Sequence, residues 1–317
     1  MTITIKTLKF FIFCAKKIYH YLFLIYPIDN LLINARKKSH KVEVLFNDFE
    51  LPKNRYLCVF IHFDPKNSLD KNAEHYLNSL KIAGCDIVLV STSDCLTPLA
   101  LETAKKYCRT IIRRSNVGRD IYSYKIGVDF VSQKISSYEK LIIANDSVFG
   151  PFFDISKLID FGDDKSLDFW GATDCHQIKY HLQSYFFVFT QKMANSECFK
   201  QYWNDIKLIN YKRHLIEKYE VGITQYFMKK GYRCDAYCAY NVIVNNMPTE
   251  TLAQKMRKQF FQKGKENLVQ HAWDLLIMEY HFPFLKKELV RKNPTKNKRI
   301  DFQDVVNKYA NHKLSLS

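Results

Sequence analysis

Between residues 51 and 150, short apolar runs alternate with stretches of helical spacing. Residues 56–62 (YLCVFIH) are almost continuously apolar, the pattern of a strand covered on both faces of a sheet. Leu69, Ala73, Tyr76, Leu77 and Leu80 follow at the spacing of one helix face. Residues 86–90 (DIVLV) read as a second strand that runs into Ser91, Thr92, Ser93 and Asp94. Residues 99–107 read as a helix and 110–112 as a short third strand. Strand, helix, strand, helix, strand predicts a parallel sheet with right-handed crossovers. A basic turn, RRSNVGRD, then opens an amphipathic segment over 121–131. An apolar run over 140–144 stops abruptly at Asn145, Asp146 and Ser147. In open α/β sheets ligands gather outside the carboxyl ends of the strands. Residues 116–120 and 145–147 are therefore expected to form two lips of one cleft, although the same residue types also make ordinary turns.

Beyond this corner, residues 168–173 read DFWGAT. Residues 181–190 (HLQSYFFVFT) read as one strand rich in aromatics. Residues 192–205 read as helical. Residues 220–230 read as a helix that starts at Glu220 and stops at Gly231, Tyr232 and Arg233 before another strand. Helical patterns over 271–280 and 284–290 belong to a basic C-terminal region. The expected layout is a membrane-association segment (1–45), an α/β core (46–250) and a helical extension packed on it (251–317).

Charge sharpens this picture. The formal net charge is +16 over 317 residues, which favours an anionic partner such as nucleic acid, a membrane face or a phosphorylated substrate. Residues 1–41 hold eight Lys or Arg against Asp29 alone. Lys16, Lys17 and His20 interrupt the apolar stretch there, whereas a spanning helix needs about 20 mostly apolar residues. Read as a helix, Phe10, Phe11, Cys14, Ile18, Tyr21, Leu22 and Ile25 share one face, and Lys9, Lys16, Lys17 and His20 lie largely on the other. That pattern suits a helix lying in the membrane interface; a helix packed on the protein's own core is the plainer alternative. Nine cysteines occur without a C-x-x-C pair, which suits free thiols in a reducing compartment and no zinc site. No helix-turn-helix, zinc-finger or RNA-binding signature accompanies the charge, so a nucleic-acid partner is not expected.

The order of motifs resembles the rhamnan synthesis protein F family of bacterial polysaccharide enzymes. The matching pieces are VFIHF (59–63), NVGRDI (116–121), NDSVFGP (145–151), DFWGAT (168–173), HLQSYFFVF (181–189) and YEVGIT (219–224). HAWDLLI and FPFLKKELVRKNP continue the order to residue 294. The resemblance implies a GT-A-like, nucleotide-sugar-binding α/β sheet flanked by helices. Asn145, Asp146 and Ser147 then occupy the place of the D-x-D motif, and Glu220 that of an inverting enzyme's base. It also implies a sugar donor of the dTDP-rhamnose type. One carboxylate stands where two are usual, so dependence on Mg²⁺ or Mn²⁺ stays open.

Transfer from such a donor requires neutralising a leaving diphosphate and deprotonating an acceptor hydroxyl. Arg113, Arg114 and Arg119 offer guanidinium forks for phosphate oxygens. Gly118 permits close backbone approach to the diphosphate, and Asn116 and Asp120 share that lip. Asp146 is the candidate metal ligand, beside Asn145 and Ser147. Glu220, expected at a helix start, is the candidate base, with Asp168 and Asp174 as alternative acids. His181, Gln183 and Trp170 are candidate sugar contacts, whereas His271, Trp273 and Asp274 read as packing. The expected function is a glycosyltransferase using a nucleotide-diphosphate sugar and a lipid-linked or oligosaccharide acceptor. It would be peripheral to the cytoplasmic face of the bacterial inner membrane, on an anionic membrane surface. A sugar-phosphate (phosphoryl) transferase on the same scaffold is the alternative.

Overall fold

The computed structural model describes residues 41–209, 211–264, 266–294 and 301–311. The amphipathic helix expected before residue 41 lies outside them. The first half alternates as its pattern predicts: β1 (Val42–Asn47), β2 (Tyr56–His62), α1 (Lys71–Ile82), β3 (Cys85–Ser91), α2 (Pro98–Lys105), β4 (Thr110–Arg114), α3 (Arg119–Val131) and β5 (Lys140–Asn145). The second half adds β6 (Val148–Phe149), β7 (Phe169–Cys175), β8 (His181–Leu182), β9 (Phe186–Thr190), α4 (Glu197–Asn204), α5 (Val221–Lys229) and β10 (Cys234–Cys238). Helices α6 (Tyr240–Asn245), α7 (Leu252–Gln262) and α8 (Trp273–Tyr280) follow. Strand β11 (Leu285–Lys286), α9 (Lys287–Lys292) and α10 (Phe302–Tyr309) complete the described chain.

The main sheet has the order β1-β4-β3-β2-β5-β9-β7-β10, with β8 beside β7. Strands β4, β3, β2 and β5 are parallel, as are β7 and β10, and β9 runs antiparallel between the two sets. This parallel-rich sheet flanked by helices is the α/β class expected from the sequence. Alternation along β2 supplies both layers of the core. Cys58 and Phe60 join the cluster with Tyr76, Leu77 and Leu80 of α1, whereas Leu57, Val59 and Ile61 join that with Tyr124 and Val128 of α3. Helix α3 crosses β2 closely at Gly127, where an added Cβ would lie 2.3 Å from Val59 Cγ1. An apolar run covered on both faces thus explains why every residue of β2, β3 and β5 is buried.

Three local expectations change. The antiparallel edge strand β1 was not expected, because most of it is exposed and its apolar signal is weak. Residues 181–190 form two strands, since the chain turns at Ser184 and Tyr185. The Tyr124 hydroxyl donates to Ser184 O at 2.9 Å, and the Gln183 N–H donates to Thr173 O at 2.9 Å. Residues 284–290 begin as a strand rather than a helix. Leu285 and Lys286 pair antiparallel with Phe149 and Val148 while Phe284 inserts into the core. A third cluster joins Phe149, Phe152 and Phe153 to Trp273, Ile277, Leu289 and Val306, so the C-terminal helices close over the loop that follows β5.

Candidate functional site

The two lips meet at the carboxyl edge of the sheet. Asn145, the last residue of β5, donates from Nδ2 to Asp120 Oδ2 at 3.2 Å. Its Oδ1 accepts from Ser147 N–H at 3.1 Å and from Ser147 Oγ at 2.6 Å. An amide therefore ties the lips together, which a carboxylate at this place would not do toward Asp120. Asp146 is half-buried; its N–H reaches Ile61 O at 3.1 Å, and its Oδ2 accepts from Phe63 N–H at 3.0 Å. Burial raises the Asp146 carboxyl above its ordinary value, while His62, Lys287 and that N–H bond pull it down.

The first lip turns through two left-handed residues, Gly118 (φ 71°) and Arg119 (φ 51°). A side chain at Gly118 would place its Cβ 2.8 Å from Tyr122 Cβ, so backbone conformation and space both require glycine. Arg119 is exposed. The neighbouring arginines are committed elsewhere. Arg113 pairs with Glu43 at 2.6 Å and also bonds Asp94 O. Arg114 is buried, bonded to Val117 O and to Ser123 Oγ. Burial lowers its ionisation to about 10. These two brace the turn and leave Arg119 as the cation of this lip that faces solvent.

The sequence reading did not anticipate the cation that does reach the corner. Lys286 lies 139 residues from Ser147 in sequence, yet the β6–β11 pairing sets its Nζ 3.5 Å from Ser147 Oγ and 3.7 Å from the Tyr185 ring centroid. Burial pushes its ammonium down to about 8, against the opposing pull of Glu220, Asp120 and Glu288. Lys287 beside it donates its N–H to Ser147 O at 3.0 Å and pairs with Asp70 at 3.4 Å.

Glu220 belongs to this electrostatic group but not at a helix start. Residues 212–229 form one helical stretch, with a short α turn (Lys212–Leu215), a π turn (Ile216–Glu220) and then α5. The expected benefit of a first-turn position therefore does not apply to Glu220. A π turn inside a helix is frequent at functional sites, because the extra residue re-aims the side chains around it. Here it sets Glu220 among Lys286 and Asp120, both of which feel its charge.

Several other expected residues have local partners of their own. Asp168 precedes β7, at the opposite end of the strand from the carboxyl edge, and its Oδ2 accepts from Arg233 N–H at 2.7 Å. Trp170 is fully buried, and its Nε1 donates to Leu158 O at 2.8 Å; it is core and offers no face for a sugar. Asp174 is buried and accepts from Tyr240 N–H at 2.7 Å. His181 and Gln183 are buried as well. His181 pairs through Nδ1 with Lys179 O at 2.8 Å, and Gln183 Oε1 accepts from the Thr173 hydroxyl at 2.6 Å. Trp273 packs on Phe302 and Asp274 pairs with Arg257, in line with a packing role.

Two cavities are lined by residues close in sequence to this group. One, of about 170 Å³, is lined by Ser93, Asp94, Arg113, Arg114 and Asn116 at the ends of β3 and β4. The other, of about 580 Å³, is open and apolar, lined by Gln177, Ile178, Tyr211, Ile216 and Glu217. It lies along the π turn that carries Glu220.

Asp120 is exposed to solvent, which screens the charges around it. Burial first, and then the Asp146 charge, pushes its carboxyl up to about 6 from 3.8. Its proton is therefore held more readily in the folded state than in the unfolded chain. The resulting stability is fully present below about pH 3.8 and is lost as pH rises through about 6. Asp120→Asn, neutral throughout, should be more stable than the wild type at pH 8, by about 1 kcal/mol after solvent screening is allowed for. Below pH 4 the difference should vanish. Thermal melts at the two pH values check this, and an unchanged difference between them would refute the assignment.

Residues 87–316 match the family described as rhamnan synthesis protein F. The virulence protein VirA of Vibrio anguillarum is 32% identical over 203 residues, which cover 60% of this chain. The chain spans 65% of the length of that relative. Among solved structures, S. aureus TarS 1–349 is similar over 68% of this chain and 74% of its own, at 14% identity and a TM-score of 0.36. A cytidylyltransferase from Leptospira borgpetersenii is similar over 78% of this chain and 99% of its own, at 12% identity and a TM-score of 0.35.

Proposed function

The chain belongs to the rhamnan synthesis protein F family, and we propose that it transfers a sugar from a nucleotide-diphosphate donor to a hydroxyl of a growing cell-surface polysaccharide. One observation carries the reading: Asp120, Asp146, Glu220 and the ammonium of Lys286 converge at the carboxyl edge of an α/β sheet. Such a group can remove a proton at one end and receive negative charge at the other. The family description makes rhamnose, or another deoxyhexose, the first donor to test, and the basic amphipathic pattern before residue 41 makes a lipid-linked glycan the first acceptor.

In the proposed inverting reaction the acceptor oxygen attacks the anomeric carbon on the face opposite the diphosphate. The bond from that carbon to the diphosphate oxygen breaks, and its electron pair leaves with the nucleoside diphosphate. Glu220 takes the hydroxyl proton as the new bond forms. Lys286 and Arg119 receive the charge that develops on the leaving group. No three His, Cys, Asp or Glu side chains gather to hold a metal among the described residues, so a divalent ion would rest on Asp146, which keeps one carboxylate oxygen on Phe63 N–H and offers the other. Mg²⁺ or Mn²⁺ held by Asp146, donor phosphate oxygens and water would share in neutralising the diphosphate.

The purified chain should gain thermal stability with one class of nucleotide sugar. With an acceptor present it should release nucleoside diphosphate from that donor, measured with added Mg²⁺ or Mn²⁺ and with chelator. Release of nucleoside monophosphate would assign the alternative, sugar-phosphate transfer. Binding of none of the donors would remove the reading. We also place the chain peripherally on the cytoplasmic face of the inner membrane. The basic amphipathic pattern before residue 41 and the charge of +16 support this. Co-flotation of the full chain with anionic vesicles measures it, and failure to float overturns it.

A further inference from the structure

Helix α7 carries three exposed large apolar side chains. Leu252, Met256 and Phe260 are 75%, 62% and 38% exposed, and their four-residue spacing stacks them into one ridge along the helix. Lys255, Gln259 and Lys263 share the exposed side, and Phe261 is the helix's buried residue. The inner side is firmly held. Arg257 forks onto Asp274, Lys258 Nζ donates to Asn245 O at 2.6 Å, and the Tyr240 hydroxyl donates to Phe261 O at 2.6 Å. A capping box between Thr251 and Gln254 fixes the start of the helix. The two inner basic residues are thus used to fasten α7 to the body, while Lys255 and Lys263 point the other way.

We propose that α7 is a lipid-facing helix whose ridge of Leu252, Met256 and Phe260, flanked by Lys255 and Lys263, seats the protein on an anionic bilayer. Apolar residues beside lysines on one exposed side, in a chain of net charge +16, are complementary to acyl chains beneath anionic headgroups. No helix among the described residues is long and apolar enough to cross a membrane, so the contact is one of lying on the surface. In the chain, α7 follows α6, which begins just after β10. This deepens the peripheral placement above and does not depend on the sugar or on residues 1–40.

The test uses the full chain carrying Met256→Trp. The chain's three tryptophans, Trp170, Trp203 and Trp273, are all buried, and the segment before residue 41 contains none. The introduced indole therefore reports α7 alone. With vesicles containing phosphatidylglycerol its emission should shift to the blue and be quenched by brominated acyl chains; zwitterionic vesicles should do neither. In the wild-type background, Leu252→Ser with Phe260→Ser should weaken vesicle binding by about tenfold or more, with donor binding unchanged. An unquenched indole on a chain that floats with the vesicles assigns the contact to another segment and overturns the proposal. A chain that does not float overturns it together with the peripheral placement. A blue shift without lipid that grows with protein concentration makes the ridge a contact between copies, and also overturns it.

Discussion

Glu220→Gln should lower kcat by about 10²–10⁴-fold, the usual contribution of a general base, while donor affinity stays within about threefold. The substitution keeps the length and shape of the side chain and removes the proton acceptor. Glu220 sits on the π turn between two α-helical pieces, so no helix start depends on its charge. A purely structural Glu220 would therefore show as a change in melting temperature with turnover preserved. Steady-state kinetics with a saturating donor, under conditions where chemistry limits the rate, separate the two. Turnover within threefold of wild type would pass the role to Asp120, a second carboxylate whose charge reaches Lys286.

Lys286→Met should weaken nucleoside diphosphate binding by about 10- to 100-fold, the range for losing a hydrogen bond to a charged group. Methionine keeps the unbranched stem over the Tyr185 ring and removes only the ammonium. The pH dependence gives a second, independent sign. Burial holds the free Lys286 ammonium near 8, and an anion binds the charged form better. Affinity in the wild type should be flat below about pH 7 and fall as pH rises through 8. Lys286→Met should lose that step, and Lys286→Arg should keep high affinity without it. Titration calorimetry at pH 6.5, 8 and 9.5 reads all three. A step that persists in the methionine variant would show that another group titrates, and the assignment would fail.

The first five strands of the alternating half and their flanking helices were largely readable, and the reason is local. A strand buried on both faces must be apolar throughout, as in β2, β3 and β5, and the helices between them carry a face of their own. The exception, β1, is exposed on its outer side and carries little signal. The meeting of 116–120 with 145–147 was likewise expected, because parallel strands deliver their carboxyl ends to one edge. Asn145 and Asp120 bond across it.

What sequence could not show was decided by pairing and direction. Asp168 and Trp170 look like site residues beside a glycine, but β7 points its other end at the cleft, and Trp170 faces the core. Arg113 and Arg114 look like phosphate ligands until β1 brings Glu43 beside one and α3 buries the other. Glu220 reads as a helix start because no cap marks the true one; the π turn depends on how residues 212–229 pack, which no periodicity records. Lys286 hides in a basic run of KK, where either lysine is an ordinary surface charge. Only the two-residue ladder between β6 and β11 carries it across 139 positions to Ser147. Apolar periodicity is written into neighbouring residues and so survives in the sequence alone; the position of a charge within a site depends on contacts between distant ones, which only the folded chain supplies.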